Sequence, residues 1–208
     1  MSQDVKPTRT ELMRIKKQIK LAKQGYGLLK KKRDGLILEF FEIMKKAKEL
    51  RSMLNSTYKE ADKRIKIARA LDGDMAVESA GKAVTSRPNI TVTHKNIVGV
   101  VVPRIEASSV LKKTLERGFG VFTSAAIDEA AAAYEKLGEA ILRVAEIETS
   151  MRRLLGEIEK TKRKVNALEF NVIPTLEKQQ QQISFRLQEM ERDNFVRLKL
   201  IKARLAEQ

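Results

Sequence analysis

The sequence predicts a mostly α-helical protein: a long antiparallel two-helix coiled coil with a small β-hairpin and short-helix insert at one end. Three observations predict it. Apolar residues recur every seven positions along two long segments, a turn-rich stretch of different periodicity separates those segments, and bulky core residues are scarce. In the first segment Leu12, Ile19, Tyr26, Arg33, Phe40, Ala47, Leu54, Ala61 and Ala68 form one series. Ile15, Ala22, Leu29, Leu36, Ile43, Leu50, Thr57, Arg64 and Leu71 form its partner. Of these 18 positions 15 are apolar, and a sustained 3.5-residue repeat describes a left-handed coiled coil. At about 1.5 Å per residue such a helix is roughly 95 Å long. Aromatics make up 5% of the chain, Trp is absent and charged residues reach 33%, a composition suited to a narrow seam rather than a wide core.

Residues 1–7 read as an N-terminal tail, and the first coiled-coil helix as residues 8–72. Thr8, after Pro7, is the N-cap, and Glu11 three residues on completes a capping box. Asp72-Gly73-Asp74 supplies the stop. Gly25, Gly27 and Gly35 lie inside the helix at about 1 kcal/mol each relative to Ala, which local weakening or the close approach of another backbone would explain. Residues 73–123 form the insert. Ile90-Thr91-Val92-Thr93 alternates, His94-Lys95-Asn96 interrupts as a polar turn, and Ile97-Val98-Gly99-Val100-Val101-Val102 follows, which reads as a hairpin at about 89–103 between Pro88 and Pro103. An isolated hairpin is marginal in water, so it should pack on a helix or another subunit. Short helical pieces near 76–83 and 107–116 would support it.

The second coiled-coil helix reads as residues 124–208. Its stripe runs Ala130, Leu137, Val144, Met151, Ile158, Val165 and Val172, flanked by Tyr134, Ile141, Ile147, Leu154 and Leu168. It resumes beyond Pro174 at Leu176, Ile183, Leu187, Met190, Leu198, Ile201 and Leu205. The helix should therefore bend near Pro174 rather than end there. Folding back would place Leu205 near Thr8 and Leu71 across from residues 139–143, with 124–138 projecting beyond the first helix. Both termini would then meet at one tip, and the hairpin would sit at the other end.

Net charge is +15, which asks for a polyanion or an acidic protein surface as partner. Residues 6–33 hold 11 basic residues and one acidic residue, Glu11, whereas residues 124–150 hold six acidic residues against Lys136 and Arg143. The chain has no Cys and one His, His94, which excludes thiol catalysis, disulfides and a histidine-rich metal cluster. No apolar stretch approaches the length of a membrane span, and residues 1–7 lack the apolar core of a signal peptide. Gly25-Tyr26-Gly27 and Gly118-Phe119-Gly120 do not follow a predicted strand and open a helix as a phosphate loop requires. Asp128-Glu129 and Glu146/Glu148 belong to a solvated helix face. The chain is expected to be no enzyme by itself and to bind no cofactor or metal. Lys30-Lys31-Lys32-Arg33 could neutralise phosphates, but it lacks the aromatics that stack on single strands, and Arg33 at a seam position is expected to pair with a carboxylate of the second helix.

Three strings carry a family resemblance: Val5-Lys6-Pro7-Thr8-Arg9-Thr10-Glu11-Leu12, Leu28-Leu29-Lys30-Lys31-Lys32-Arg33-Asp34-Gly35-Leu36, and Lys160-Thr161-Lys162-Arg163-Lys164-Val165-Asn166-Ala167-Leu168-Glu169-Phe170-Asn171-Val172-Ile173-Pro174. Asn96-Ile97-Val98-Gly99-Val100-Val101-Val102-Pro103 is a fourth. In this order they resemble the D subunits of the archaeal A-type and vacuolar V-type rotary ATPases. The Gln179-Gln180-Gln181-Gln182 run departs from the pattern and reads as exposed helix. The resemblance implies a non-catalytic central-stalk rotor, peripheral on the cytoplasmic side of a membrane. Its termini would insert among the catalytic and regulatory subunits of a nucleotide-binding hexamer. Its base would meet a small companion stalk subunit and a funnel-shaped subunit on the membrane ring, with no direct nucleic-acid contact and no direct membrane insertion. The hexamer contact is expected at Arg9, Lys16, Lys17, Lys20, Arg197, Lys199, Lys202 and Arg204, and the base contact at Ile90, Val92, Ile97, Val100 and Val102. A prefoldin-like chaperone also joins two coiled-coil helices through β-hairpins, and a basic nucleic-acid-binding coiled coil would explain the charge but not the hairpin.

Overall fold

The computed structural model describes residues 6–84, 90–107, 117–118 and 123–206. The elements in order are α1 (Arg9–Asp72), α2 (Asp74–Ala83), β1 (Ile90–Ile97), β2 (Val100–Ala107), α3 (Ala125–Ala167), a π-helical turn (Leu168–Val172) and α4 (Ile173–Ala206). They form two compact units: Met1–Asp34 with Glu159–Gln208, and Gly35–Ile158. The short helix expected near 107–116 falls almost wholly outside the described residues.

Thr8 caps α1, its Oγ1 accepting the Glu11 N–H at 3.2 Å. Glu11 does not close the capping box. The Thr8 N–H already donates to the Lys6 carbonyl at 2.9 Å, so Glu11 turns to Arg14, at 3.5 Å. At the other end Gly73 adopts φ 81°, a left-handed value that glycine takes without steric cost. Its N–H donates to the Arg69 carbonyl at 3.0 Å, and α2 begins at the next residue.

In the first unit α1 runs antiparallel to α4. Arg9 pairs with Glu191 at 2.7 Å and Lys23 with Glu177 at 2.8 Å, fourteen residues further along each helix. Ile15, Ile19 and Ile183 are buried between them, with Leu12, Leu176 and Leu187 packed around. This register corrects the expected one: Arg9 lies by Glu191, so Thr8 cannot lie by Leu205. The apolar stripe runs to both ends of α4, so matching the helix ends satisfies the spacing, whereas the observed offset buries Ile183 against Ile15 and Ile19. The same unit answers the question of Gly25 and Gly27. A side chain added at either would meet nothing within 4 Å, so no backbone of this chain requires them.

The π-helical turn has a cause in the heptad count. Leu154, Thr161 and Val165 are buried on the seam before it. Continuing that repeat would bring residues 175, 182 and 189 to the seam, but Leu176, Ile183 and Met190 carry the apolar side chains. The stripe thus holds one residue too many, and an i→i−5 turn absorbs it. The Ile173 N–H donates to the Leu168 carbonyl in that pattern. Pro174, with no N–H to give, follows where the ladder is already offset.

In the second unit α1 pairs with α3. Arg64 reaches Glu129, and Ala68 packs with Ile127, Ala130 and Ala80 of α2. The start of α3 is therefore covered by α1 and α2 rather than projecting past α1 as expected. The five buried hydrophobics of α1 (Ile15, Ile19, Leu36, Ala61 and Ala68) all belong to the two heptad series. Arg33, in the first unit, is turned to Asp34 on its own helix at 2.9 Å, not to the second helix, because the neighbouring carboxylate reaches its guanidinium first.

The hairpin pairs Ile97 with Val100 through Ile90 with Ala107. Its turn is Val98-Gly99, with φ 49° and 79°, the positive pair typical of a two-residue type I′ turn. The polar residues His94, Lys95 and Asn96, expected as the turn, lie within β1, where His94 faces Pro103. Val100 and Val102 are buried with Leu36 and Leu154, and Phe40, Ile43, Ile97 and Ile158 complete that cluster. The hairpin is thus laid against the helix pair near Leu36, while α2 occupies the Ala68 end.

Candidate functional site

Among the described residues, the first unit ends in a helix without a helical neighbour. Arg9–Glu191 is the outermost cross-helix ion pair among the described residues, and α4 continues from there to Ala206. Among the described residues nothing faces α4 from about Arg192 onward. Its apolar residues are therefore bare: Phe195 is 63% exposed, Leu198 64% and Leu205 68%. Arg197, Lys199, Lys202 and Arg204 are interleaved with them and exposed, and the Lys199 ammonium lies 5.3 Å from the centre of the Phe195 ring. Lys16, Lys17 and Lys20 are exposed on the paired part of α1, and Arg9 sits at the root of the overhang. The structure brings all eight expected contact residues to one end of the unit, strung along α4 rather than clustered in a single layer.

The hairpin's five expected contact residues divide by face. Val100 and Val102 are turned into the chain's own core with Ile97 packed beside them. Ile90 and Val92, with Val101, are exposed. Only these can meet another molecule without unpacking Leu36 and Leu154. Arg153 on α3 donates to the Val101 carbonyl at 2.9 Å and latches β2 in place.

A second latch escaped the sequence reading. Arg117 is buried, its Nε and Nη2 donating to the two Glu135 carboxylate oxygens at 2.9 and 3.1 Å. Its Nη1 reaches both the carbonyl and a carboxylate oxygen of Asp128 at 3.3 Å. The hydrogen bond to Glu135, the leading cause, holds the guanidinium above its ordinary pKa although burial opposes it. The signal was present in the acidic start of the second helix, which leaves Asp128 and Glu135 in need of a cation. Nothing local singles out Arg117, because its partners lie 18 and 11 residues further along the chain.

A hollow of about 510 Å³ lies between α2 and the start of α3, lined by Asp72, Ser79, Ala80, Ser124 and Ile127 among others. Among the described residues there is no group of three His, Asp or Glu side chains that could hold a metal ion. No helix there is long and apolar enough to cross a membrane.

Comparison with known proteins gives these surfaces a context. The sequence profile of the ATP synthase D-subunit family matches residues 11–203. Relatives described as the D subunit of A-type ATP synthase are similar along almost their whole length. The Methanosarcina acetivorans protein is 52% identical over 204 residues, 98% of this chain and 98% of its own. The Methanococcoides burtonii protein is 53% identical over 202 residues, covering 97% and 98%, and that of Haloarcula marismortui 51% over 205 residues, covering 98% and 89%.

Proposed function

The chain belongs to the family of ATP synthase D subunits, and from that premise we propose that it is the non-catalytic central-stalk rotor of an A-type ATP synthase, on the cytoplasmic side of the membrane. It carries rotation between the membrane ring and the nucleotide-binding hexamer, and so couples ATP synthesis or hydrolysis to transport of protons or sodium ions. Its partners are the catalytic and regulatory subunits of the hexamer, a small companion stalk subunit, and the funnel-shaped subunit on the ring.

The observation that carries this reading is the α4 overhang. A single helix of some fifteen residues is marginal in water, and this one exposes Phe195, Leu198 and Leu205 beside four cations. Such a segment is suited to a surrounding partner that buries the apolar side chains and answers the charges with carboxylates. Enclosure lowers the effective dielectric, which strengthens those pairs relative to an open surface. Ile90, Val92 and Val101 offer a second, smaller apolar face for the companion subunit.

The test is a reconstituted complex in which Arg9, Lys16, Lys17, Lys20, Arg197, Lys199, Lys202 and Arg204 are replaced together by Gln. Single exposed pairs contribute about 0–1 kcal/mol, so the set is needed. Ions moved per ATP hydrolysed should fall while the complex still assembles through the unaltered seam. An unchanged ratio with unchanged turnover would remove the basic tip from coupling.

A further inference from the structure

Asp72 closes α1 with a carboxylate that nothing answers. It makes no hydrogen bond or ion pair among the described residues, and its Oδ2 is shut off from water as well. A buried acceptor without a donor is costly to keep and calls for an explanation. Local structure supplies none. Asp72 stands at the negative end of α1, where a carboxylate is disfavoured. It does not cap α2, whose N-cap is Gly73 and which no side chain caps. Nearby cations are engaged elsewhere: Lys66 with Asp62 at 2.6 Å, Arg69 with Asp74 at 3.5 Å and Lys82 with Glu78 at 2.7 Å. The start of α3 brings Asp128 and Glu129 rather than a positive charge.

The same residue lines the hollow of about 510 Å³ between α2 and the start of α3, a volume within the range of small-ligand sites. Ala76, Ala80 and Ile127 give it an aliphatic wall, and Ala80 and Ile127 are anchored in the buried cluster around Ala68. Ser79 and Ser124 add hydroxyls. The Ser124 Oγ accepts the Ala126 N–H at 3.2 Å and keeps a second lone pair. No hydrogen bond pins the Asp72 carboxylate, and χ2 of Asp is a broad torsion, so either oxygen can turn to an entering cation, one at a time.

These parts select among cations. A divalent metal takes several oxygen ligands, and no group of three His, Asp or Glu gathers here among the described residues. A guanidinium fork is matched by two carboxylate oxygens presented together. A single carboxylate oxygen with hydroxyls at scattered positions suits the point charge and three rotatable donors of an ammonium. We infer that this hollow is a binding site for an alkylammonium group. The ammonium lies against Asp72 with Ser79 and Ser124, and the methylene stem against Ala76, Ala80 and Ile127. The group belongs either to a free polyamine or to a lysine of another polypeptide, and only the second source depends on the rotor reading.

The test has two arms. In the first, the full chain is titrated with butylamine hydrochloride and followed by amide chemical shifts, with circular dichroism to confirm each variant's fold. Shifts at Ser79, Ser124 and Ile127 should saturate with a dissociation constant on the order of millimolar. Asp72→Asn should weaken binding at least about tenfold, and so should Ser79→Leu, which narrows the hollow and keeps the carboxylate. Shifts that potassium chloride reproduces at equal ionic strength, or that Asp72→Asn leaves unchanged, would overturn the site. In the second arm, a carbodiimide is applied to the reconstituted complex and the products are mapped by mass spectrometry. Asp72 coupled to a neighbouring subunit's lysine, at a yield that butylamine lowers, identifies a lysine as the occupant. Amine binding without such coupling identifies a free amine. Without saturable binding in the first arm the site is refuted, whatever couples in the second. A chain that enters no such complex fails the rotor reading and leaves the first arm standing.

Discussion

Deleting one residue from a coiled coil normally rotates everything beyond it by about 100° and unseats the seam. Inside the π-helical turn the opposite should hold, since that turn carries the surplus residue. Removing Asn171 lets the heptad run straight from Leu154, Thr161 and Val165 into Leu176, Ile183 and Met190. Pro174 complicates the comparison, because in a continuous α-helix it costs about 3 kcal/mol. All variants are therefore built on Pro174→Ala. Deleting Asn171 removes the carbonyl that accepts the Thr175 hydroxyl at 2.6 Å, a net cost of about 1 kcal/mol that recovered α-helical bonding offsets. Deleting the exposed Gln181 instead turns Ile183, 2% exposed, and Leu187 away from Ile15 and Ile19. At about 1.5–3 kcal/mol for each buried aliphatic side chain, that loss is roughly 3–6 kcal/mol. Urea unfolding followed by circular dichroism at 222 nm measures both. Asn171 deletion should lie within about 1 kcal/mol of its parent, and Gln181 deletion several kcal/mol below. Equal losses would refute the surplus-residue account of the turn.

The register predicts that cysteines placed at Leu12 and Leu187 form a disulfide within one chain on oxidation. A pair at Leu12 and Leu205 should not, and non-reducing electrophoresis with mass spectrometry distinguishes them against a background free of native cysteine. Arg117→Met leaves Glu135 and Asp128 without their cation and should cost about 2–3 kcal/mol, the lower side of the range for a broken buried pair because Asp128 is partly wet. A thermal scan should show Tm lower by about 5–10 °C, with Arg117→Lys recovering only part since the fork is lost. Val98 holds φ 49°, a strained value for a β-branched residue, so Val98→Asn should raise stability by about 1 kcal/mol. A loss on chemical denaturation would show that the packing of the Val98 side chain outweighs the strain.

The seam was legible because burial along a helix repeats with a fixed period, and every buried hydrophobic of α1 fell in the two series. The Thr8 cap was legible because it is local. The register was not: both ends of α4 carry apolar residues at the right spacing, and which layer meets Ile15 depends on shape across the interface. The phase slip was in plain view between Val165 and Leu176, but a proline beside it drew the explanation to itself. The hairpin turn was misplaced because polar residues suggest turns. Val98 suggests a strand, and only Gly99 marked the true position. Three of the five residues expected at the base, Ile97, Val100 and Val102, turn to the chain's own core for a related reason: alternation divides a strand into two faces but does not say which face its own chain will cover.

By the register of the Lys23–Glu177 pair, Gly25 and Gly27 lie at the same height along the first unit as Pro174, and the π-helical turn adjoins that layer. Two weak places at different heights would each be splinted by an intact helix alongside. Here they coincide. Compliances of successive sections add in series, so the softest cross-section sets how readily a slender pair flexes or twists under load. Helical glycines and a misaligned ladder both loosen the backbone, so deformation of this unit is expected to concentrate within a few turns of that layer.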